Sequence, residues 1–319
     1  MIFRIDFRQM TLAFRLPLAA TALLATSAAH LYAQGNAQSS VTSDAEVSRF
    51  VDDGASERIA LAGELGMLSQ RVVSAACFLH AGLEPDSSRA TLNEATSEFE
   101  TIAAALEFGN PELGIPTAEE RRRTLAGLNK LNNLWAPIAE LAQKVDADGG
   151  TARDIAAIAI QSGELFETAN RLVVQITSQY SGQTTVLQSD ALRLDLAGRQ
   201  RTLAQQIAKT GCLISRDIEV DTSTSELQMA AGNFDVSMNA LRFGLQDVGI
   251  LPPPNDEIVA SLDEVANNWS FMSRIVTNLT AGNSVDDITL GVMFLMSNQV
   301  TGNMETVVEQ YTEASKLAG

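Results

Sequence analysis

Cysteine and histidine are nearly missing from these 319 residues, with two of each. His30 and His80 lie far apart, and Cys77 and Cys212 are separated by more than a hundred residues. No cluster of the kind a zinc site needs can be assembled from them, so no metal and no cofactor are expected. Neither a nucleophile with a base nor a phosphate-binding loop is present, and the chain is not expected to be an enzyme. Aromatic residues make up only 5% and prolines number eight. With alanine, leucine, glutamate and glutamine plentiful, that balance favours helix over strand. Basic residues are the scarce sign, 22 against 39 acidic, for a net charge of −17. Nucleic acid and anionic lipid are poor partners for such a field.

Long apolar runs are missing too, except near the amino terminus. Arg4, Arg8 and Arg15 precede an apolar run from Leu16 to about Ala25, and small residues follow to Ala33. That order reads as a secretory signal peptide over residues 1–33, cleaved after Ala33 or Ala29. An uncleaved anchor is the competing reading, but Thr21, Thr26, Ser27 and His30 leave the run short of the roughly 20 residues a span requires. Loss of three arginines and one aspartate would leave 19 basic against 38 acidic side chains. The mature chain is then expected outside the cytoplasm, in the periplasm, with no membrane span.

What the chain does contain is itself, twice. Residues 58–77, RIALAGELGMLSQRVVSAAC, return at 193–212 as RLDLAGRQRTLAQQIAKTGC, an offset of 135. From Arg58 to Ile115 the register holds without a gap and 19 of 58 positions are identical. Trp135 then answers to Trp269 and Asn170 to Asn303, with the offset drifting to 133. Two copies of one unit are expected, at 44–180 and 184–317.

Each copy reads as four helices with no β alternation. In the first, helices are expected from about Asp44 to His80, from Ser88 to Phe108, from a Thr117/Glu120 capping box to Val145, and from Thr151/Asp154 to Tyr180. The second repeats this punctuation at Ser223/Glu226, Phe243-Gly244, Pro252-Pro253-Pro254 and Ser284/Asp287. The expected fold class is all-α, two tandem antiparallel four-helix bundles. Gly182 at the junction allows either a turn that sets the bundles side by side or a continuous helix that makes a rod.

On the repeated helix the side chains divide into two faces. Leu192, Leu196, Leu203, Ile207 and Ile214 form one apolar stripe, expected to be the core. Leu194, Ala197, Arg201, Gln205, Ala208 and Cys212 form the other, made mostly of small residues, where a second helix could approach. Copy one repeats both, with Leu61, Leu68, Val72 and Leu79 against Ala62, Gly66, Gln70, Val73 and Cys77. Arg201 to Cys212 and Gly66 to Cys77 are equal steps of 11 residues, so each cysteine shares the small-residue face. Were the two helices parallel about a two-fold axis, facing Cα atoms would fall within disulfide range. A Cys77–Cys212 bridge in an internal pseudo-dimer and two isolated buried thiols are both compatible with the sequence.

The run from Leu196 to Lys209, LAGRQRTLAQQIAK, resembles the signature of the PilJ-type sensor domain of type IV pilus chemotaxis transducers. It is similar also to the P-box of nitrate and nitrite sensor kinases. The resemblance implies a periplasmic four-helix bundle whose motif helices meet side by side and clasp one small anion. It places the anion contact on the arginine three residues after the motif glycine, which here is Arg201. Arg199, Gln205, Gln70 and Arg71 are the lesser members of the expected site. Copy one departs from the pattern, with Gly66 at the position of Arg201 and Glu64 at that of Arg199. Arg201 is therefore read either as an oxyanion ligand or as a salt-bridged side chain kept for helix packing.

The functional expectation is a ligand-sensing or ligand-binding protein for a small anion such as nitrate or nitrite. Because the sequence stops after the second bundle, signalling would pass through a membrane receptor or sensor kinase. The alternative is a structural or protein-interaction module of the envelope that binds no small molecule. Arg121-Arg122-Arg123 reads as a solvated face, the Asn132/Asn133/Trp135 and Asn267/Asn268/Trp269 clusters as packing, and Met293 and Met296 as core.

Overall fold

A computed structural model describes residues 54–180 and 188–317. The expected leader at 1–33, residues 44–53 of the first expected domain and junction residues 181–187 lie outside the described residues. Eight α-helices occur in the described part: α1 (Ala55–His80), α2 (Pro85–Phe108), α3 (Arg122–Asp148), α4 (Ala152–Tyr180), α5 (Gln188–Ser215), α6 (Val220–Phe243), α7 (Asp256–Thr280) and α8 (Asp287–Leu317). None of them is long and apolar enough to cross a membrane.

The punctuation of the repeat is visible in both copies. Helix α2 stops at Gly109, which takes φ 81° and donates to Ala105 O. A β-carbon there would lie 2.7 Å from the Thr117 carbonyl carbon, so the crossing chain requires glycine as well as the positive φ. Gly244 repeats this, with Pro252 N at 2.9 Å from the same hypothetical atom. Each loop closes through one antiparallel bridge, Asn110 with Ile115 and Leu245 with Ile250. Before α4 the Thr151 and Asp154 side chains and backbones exchange hydrogen bonds as the sequence suggests.

Elsewhere the caps differ from expectation. Helix α3 opens at Arg122, not at the Thr117/Glu120 box, because the Glu119 carboxylate accepts the N–H groups of Glu120 and Arg121. Helix α6 opens at Val220, ahead of Ser223, and Asp286 caps α8 by accepting Thr289 N–H. A carboxylate just before the first turn satisfies orphan donors and complements the helix dipole.

In each copy the motif helix packs against its two antiparallel neighbours, α1 against α2 and α4, α5 against α6 and α8, and the two motif helices pack against each other. Phe99 stacks on Trp135 at 4.0 Å in copy one, and Phe234 lies 4.4 Å from Trp269 in copy two. Each indole N–H donates to a carboxylate, Glu100 at 3.3 Å and Asp235 at 2.6 Å, which explains the two tryptophan clusters as packing. The first core does not stop at its own copy. Ala208, Cys212 and Leu213 of α5 and Leu290 and Phe294 of α8 belong to it, with Phe294 4.7 Å from Phe78.

Enclosure of the motif helix corrects the reading of its faces. Of the leucine stripe on α5 only Ile207 is fully buried, while Leu196, Leu203 and Ile214 are partly exposed. The small-residue face is the inner one: Ala197, Ala208 and Cys212 are fully buried. On α1, enclosed in the same way, Leu68, Val72 and Leu79 are buried as expected, so the departure is confined to the stripe of copy two.

Candidate functional site

Two contacts define the seam between the copies. Cys77 and Cys212 form a disulfide with Cα atoms 6.2 Å apart. Arg201 Nη1 donates to Glu64 Oε1 at 2.8 Å. These contacts are 11 residues apart on α5 and 13 on α1, in the same direction, so the motif helices run parallel and side by side. A rod is incompatible with that geometry.

Arg201 is the centre of this seam. Its side chain is 11% exposed and that of Glu64 18%. Removing two charges from water is costly, and a short charge-assisted hydrogen bond between them offsets much of the cost. The Arg201 Nε has no protein partner. Beside Glu64 a groove opens between α1 and α2, lined by Leu61, Glu94, Glu98, Thr101 and others. Its lining is acidic. Burial, then the charge of Glu64, pushes the Glu98 carboxyl above its ordinary range, with Glu94 and Glu305 adding to the shift and Arg71 opposing it.

The other expected ligands do not converge on Arg201. Arg199 points away and pairs with Asp195 one turn earlier at 2.9 Å, both exposed. Gln205 is fully buried but turns into its own bundle, donating to Asn298 at 3.0 Å and Thr301 at 2.9 Å on α8. Arg71 reaches α2, where Glu94 accepts at 2.8 Å and Glu98 lies at 3.9 Å. Gln70 is buried, donates to Ser69 Oγ at 3.2 Å and leaves its Oε1 without a protein partner. At Gly66, a β-carbon would stand 3.6 Å from Phe166 and Asn170 of α4, so this position faces its own bundle rather than mirroring Arg201. The five residues expected as one ligand set are thus distributed over the seam, both bundle interiors and the surface. Among the described residues no group of acidic, histidine or cysteine side chains could hold a metal ion.

A second pair of arginines, passed over in the sequence, anchors each motif helix at its start. Arg58 is 1% exposed and donates to the carbonyls of Leu106, at 3.2 Å, and Thr117, tying α1 to the α2–α3 loop. Glu119 lies 4.0 Å away and the Tyr180 ring 5.7 Å. Arg193 repeats this with Pro252 O at 3.4 Å and the Tyr311 ring at 5.6 Å. The signal was available: Arg58, Ala62 and Leu65 follow an inward helical phase, and arginine opens both copies. The triple arginine also needs correction, since Arg121 is not merely solvated but lies 4.0 Å over the Tyr180 ring. His80 is structural and donates from Nδ1 to Gly149 O at 2.8 Å.

Comparison with curated proteins returns no match. Comparison with protein families returns one family at two places: the type IV pili methyl-accepting chemotaxis transducer N-terminal domain, PilJ, at residues 50–159 and 183–289. Those spans cover most of the chain, begin at the two motif helices and repeat in tandem, as the helices do. This chain belongs to the PilJ family, as two copies of its sensory domain paired along their motif helices.

Proposed function

We propose that this chain is an extracytoplasmic sensory module that acts through a membrane receptor or sensor kinase, and that its motif helices serve the pairing of the copies rather than the capture of nitrate or nitrite. The observation that carries this reading is the Arg201–Glu64 ion pair across the seam. An anion held by Arg201 would have to displace Glu64, leaving that half-buried carboxylate unpaired, or share the site with it at the cost of like-charge repulsion. Glu94 and Glu98 beside the groove further repel an incoming anion. The chain supplies from within the negative charge that the family resemblance assigns to a ligand.

Calorimetric titration tests the proposal. Wild-type protein should give no binding heat with nitrate, nitrite or acetate. Stoichiometric binding of any of these that Arg201→Ala abolishes would reverse the assignment. One observation favours the second reading, a small-anion sensor: the buried Arg201 Nε has no protein partner. Under that reading Glu64→Gln would tighten the binding already present in wild type.

A further inference from the structure

The groove between α1 and α2 is acidic at one end and apolar at the other. Glu64, Glu94 and Glu98 line it together with Leu61, Ile102 and Leu113, around a volume of about 410 Å³. A space of that size holds a small organic molecule. Its carboxylates outnumber their cations. Arg201 is taken up by Glu64 at 2.8 Å, and Arg71 holds Glu94 at 2.8 Å while standing 3.9 Å from Glu98. Burial, then Glu64, push the Glu98 carboxyl above its ordinary range; Arg71 opposes this, and Glu94 and Glu305 of α8 add to it. A carboxyl is raised in this way where negative charge is left uncompensated.

Copy two shows that the fold does not require this lining. At the positions of Glu64, Glu94 and Glu98 it has Arg199, Met229 and Asn233, and at that of Ile102 it has Ser237. The three carboxylates and part of the apolar wall are thus peculiar to copy one.

We propose that the α1–α2 groove of copy one binds a small primary alkylammonium ion, its head at Glu94 and Glu98 and its chain along Leu61, Ile102 and Leu113. Charge complementarity selects the head. Glu94, Glu98 and Ile102 follow one another at intervals of four on α2, so the two carboxylates and the apolar surface lie on one line of the helix. An ammonium presents three donors from one point and suits two carboxylates a single turn apart. The apolar wall selects the chain, which a bare inorganic cation lacks. Among the described residues no group of acidic side chains is arranged to hold a metal ion. Binding here leaves the Arg201–Glu64 pair in place, so it does not depend on the role of the seam.

Titration of the full chain with n-pentylammonium chloride at physiological salt, followed by amide chemical shifts, tests this. Saturation is expected at one ion per chain, with the shifts on α1 and α2. Glu98→Gln removes the charge and keeps the volume, and should weaken binding at least about fivefold with helicity unchanged by circular dichroism. Methylammonium should bind about tenfold more weakly than pentylammonium, because it leaves the apolar wall wet. Glu167→Gln, at an exposed carboxylate of α4, should change nothing. Absence of saturation, equal affinity in wild type and Glu98→Gln, or equal affinity for the two amines would each overturn the proposal. Binding of a lysine-rich peptide without binding of pentylammonium would overturn it too, by making the groove a protein contact.

Discussion

Glu64 lies two residues before the position on α1 that corresponds to Arg201 on α5, and the two side chains meet across the seam at 2.8 Å. The copies are therefore complementary rather than duplicate. Here copy one has Gly66 in place of that arginine and offers a carboxylate one half-turn earlier. The ion pair thus joins non-equivalent positions of the two motif helices.

The disulfide should contribute strongly to stability. Cys77 and Cys212 close a loop of more than 130 residues, and constraint of the unfolded chain grows with loop length. Replacing both by serine should cost about 2 to 5 kcal/mol in urea unfolding. Both cysteines are fully buried, so in the native protein the bridge should resist a mild reductant until denaturant is added. Reduction at the same rate with and without denaturant would contradict this.

Arg58 should tolerate no replacement. Arg58→Ala leaves the Leu106 and Thr117 carbonyls without this donor and Glu119 with Arg121 alone as a nearby cation. A loss of about 3 kcal/mol or more is expected in urea unfolding. Lysine should not rescue it, because one ammonium cannot span both carbonyls as the guanidinium fork does. Full stability in Arg58→Lys would show that charge alone matters.

Two groups make opposite ends of the pH profile informative. The Glu98 carboxyl is raised by burial and by Glu64, so it favours the folded state below the ordinary carboxylate range and opposes it once ionised. Glu98→Gln should therefore stabilise the protein at pH 7, by less than about 1 kcal/mol given its partial exposure, and not at pH 4. Tyr311 is pushed up to about 12 by burial, with Arg193 opposing the shift. Its contribution is complete below pH 10 and is lost as pH rises toward 12, so Tyr311→Phe should flatten the alkaline decline. Profiles unchanged by either substitution would refute these environments.

The all-α architecture was legible because it rests on period, glycine and capping residues, which act locally. The repeat told where each helix returns, and the 11-residue step from Arg201 to Cys212 put both on one face. Its neighbours were not legible. Whether Arg201 meets an anion, water or a carboxylate depends on which residue of α1 stands opposite, and Glu64 had been matched to Arg199 rather than to Arg201. The leucine stripe held on α1, where Leu68, Val72 and Leu79 are buried, but not on α5, although each helix packs against three others, so helical period alone did not separate the two. Gln205 and Gln70 share one motif position, yet one bonds α8 and the other its own neighbour Ser69, a difference set by partners outside the motif.

The central claim is that Arg201 spends its charge on Glu64, and a double-mutant cycle measures it most directly. Urea unfolding of wild type, Glu64→Gln, Arg201→Gln and the double variant, all with the disulfide intact, gives the coupling free energy. A coupling of about 1 to 3 kcal/mol is predicted, with the double variant more stable than the sum of the single losses implies. Additivity within about 0.5 kcal/mol would contradict the pairing and return Arg201 to the role of a free anion ligand.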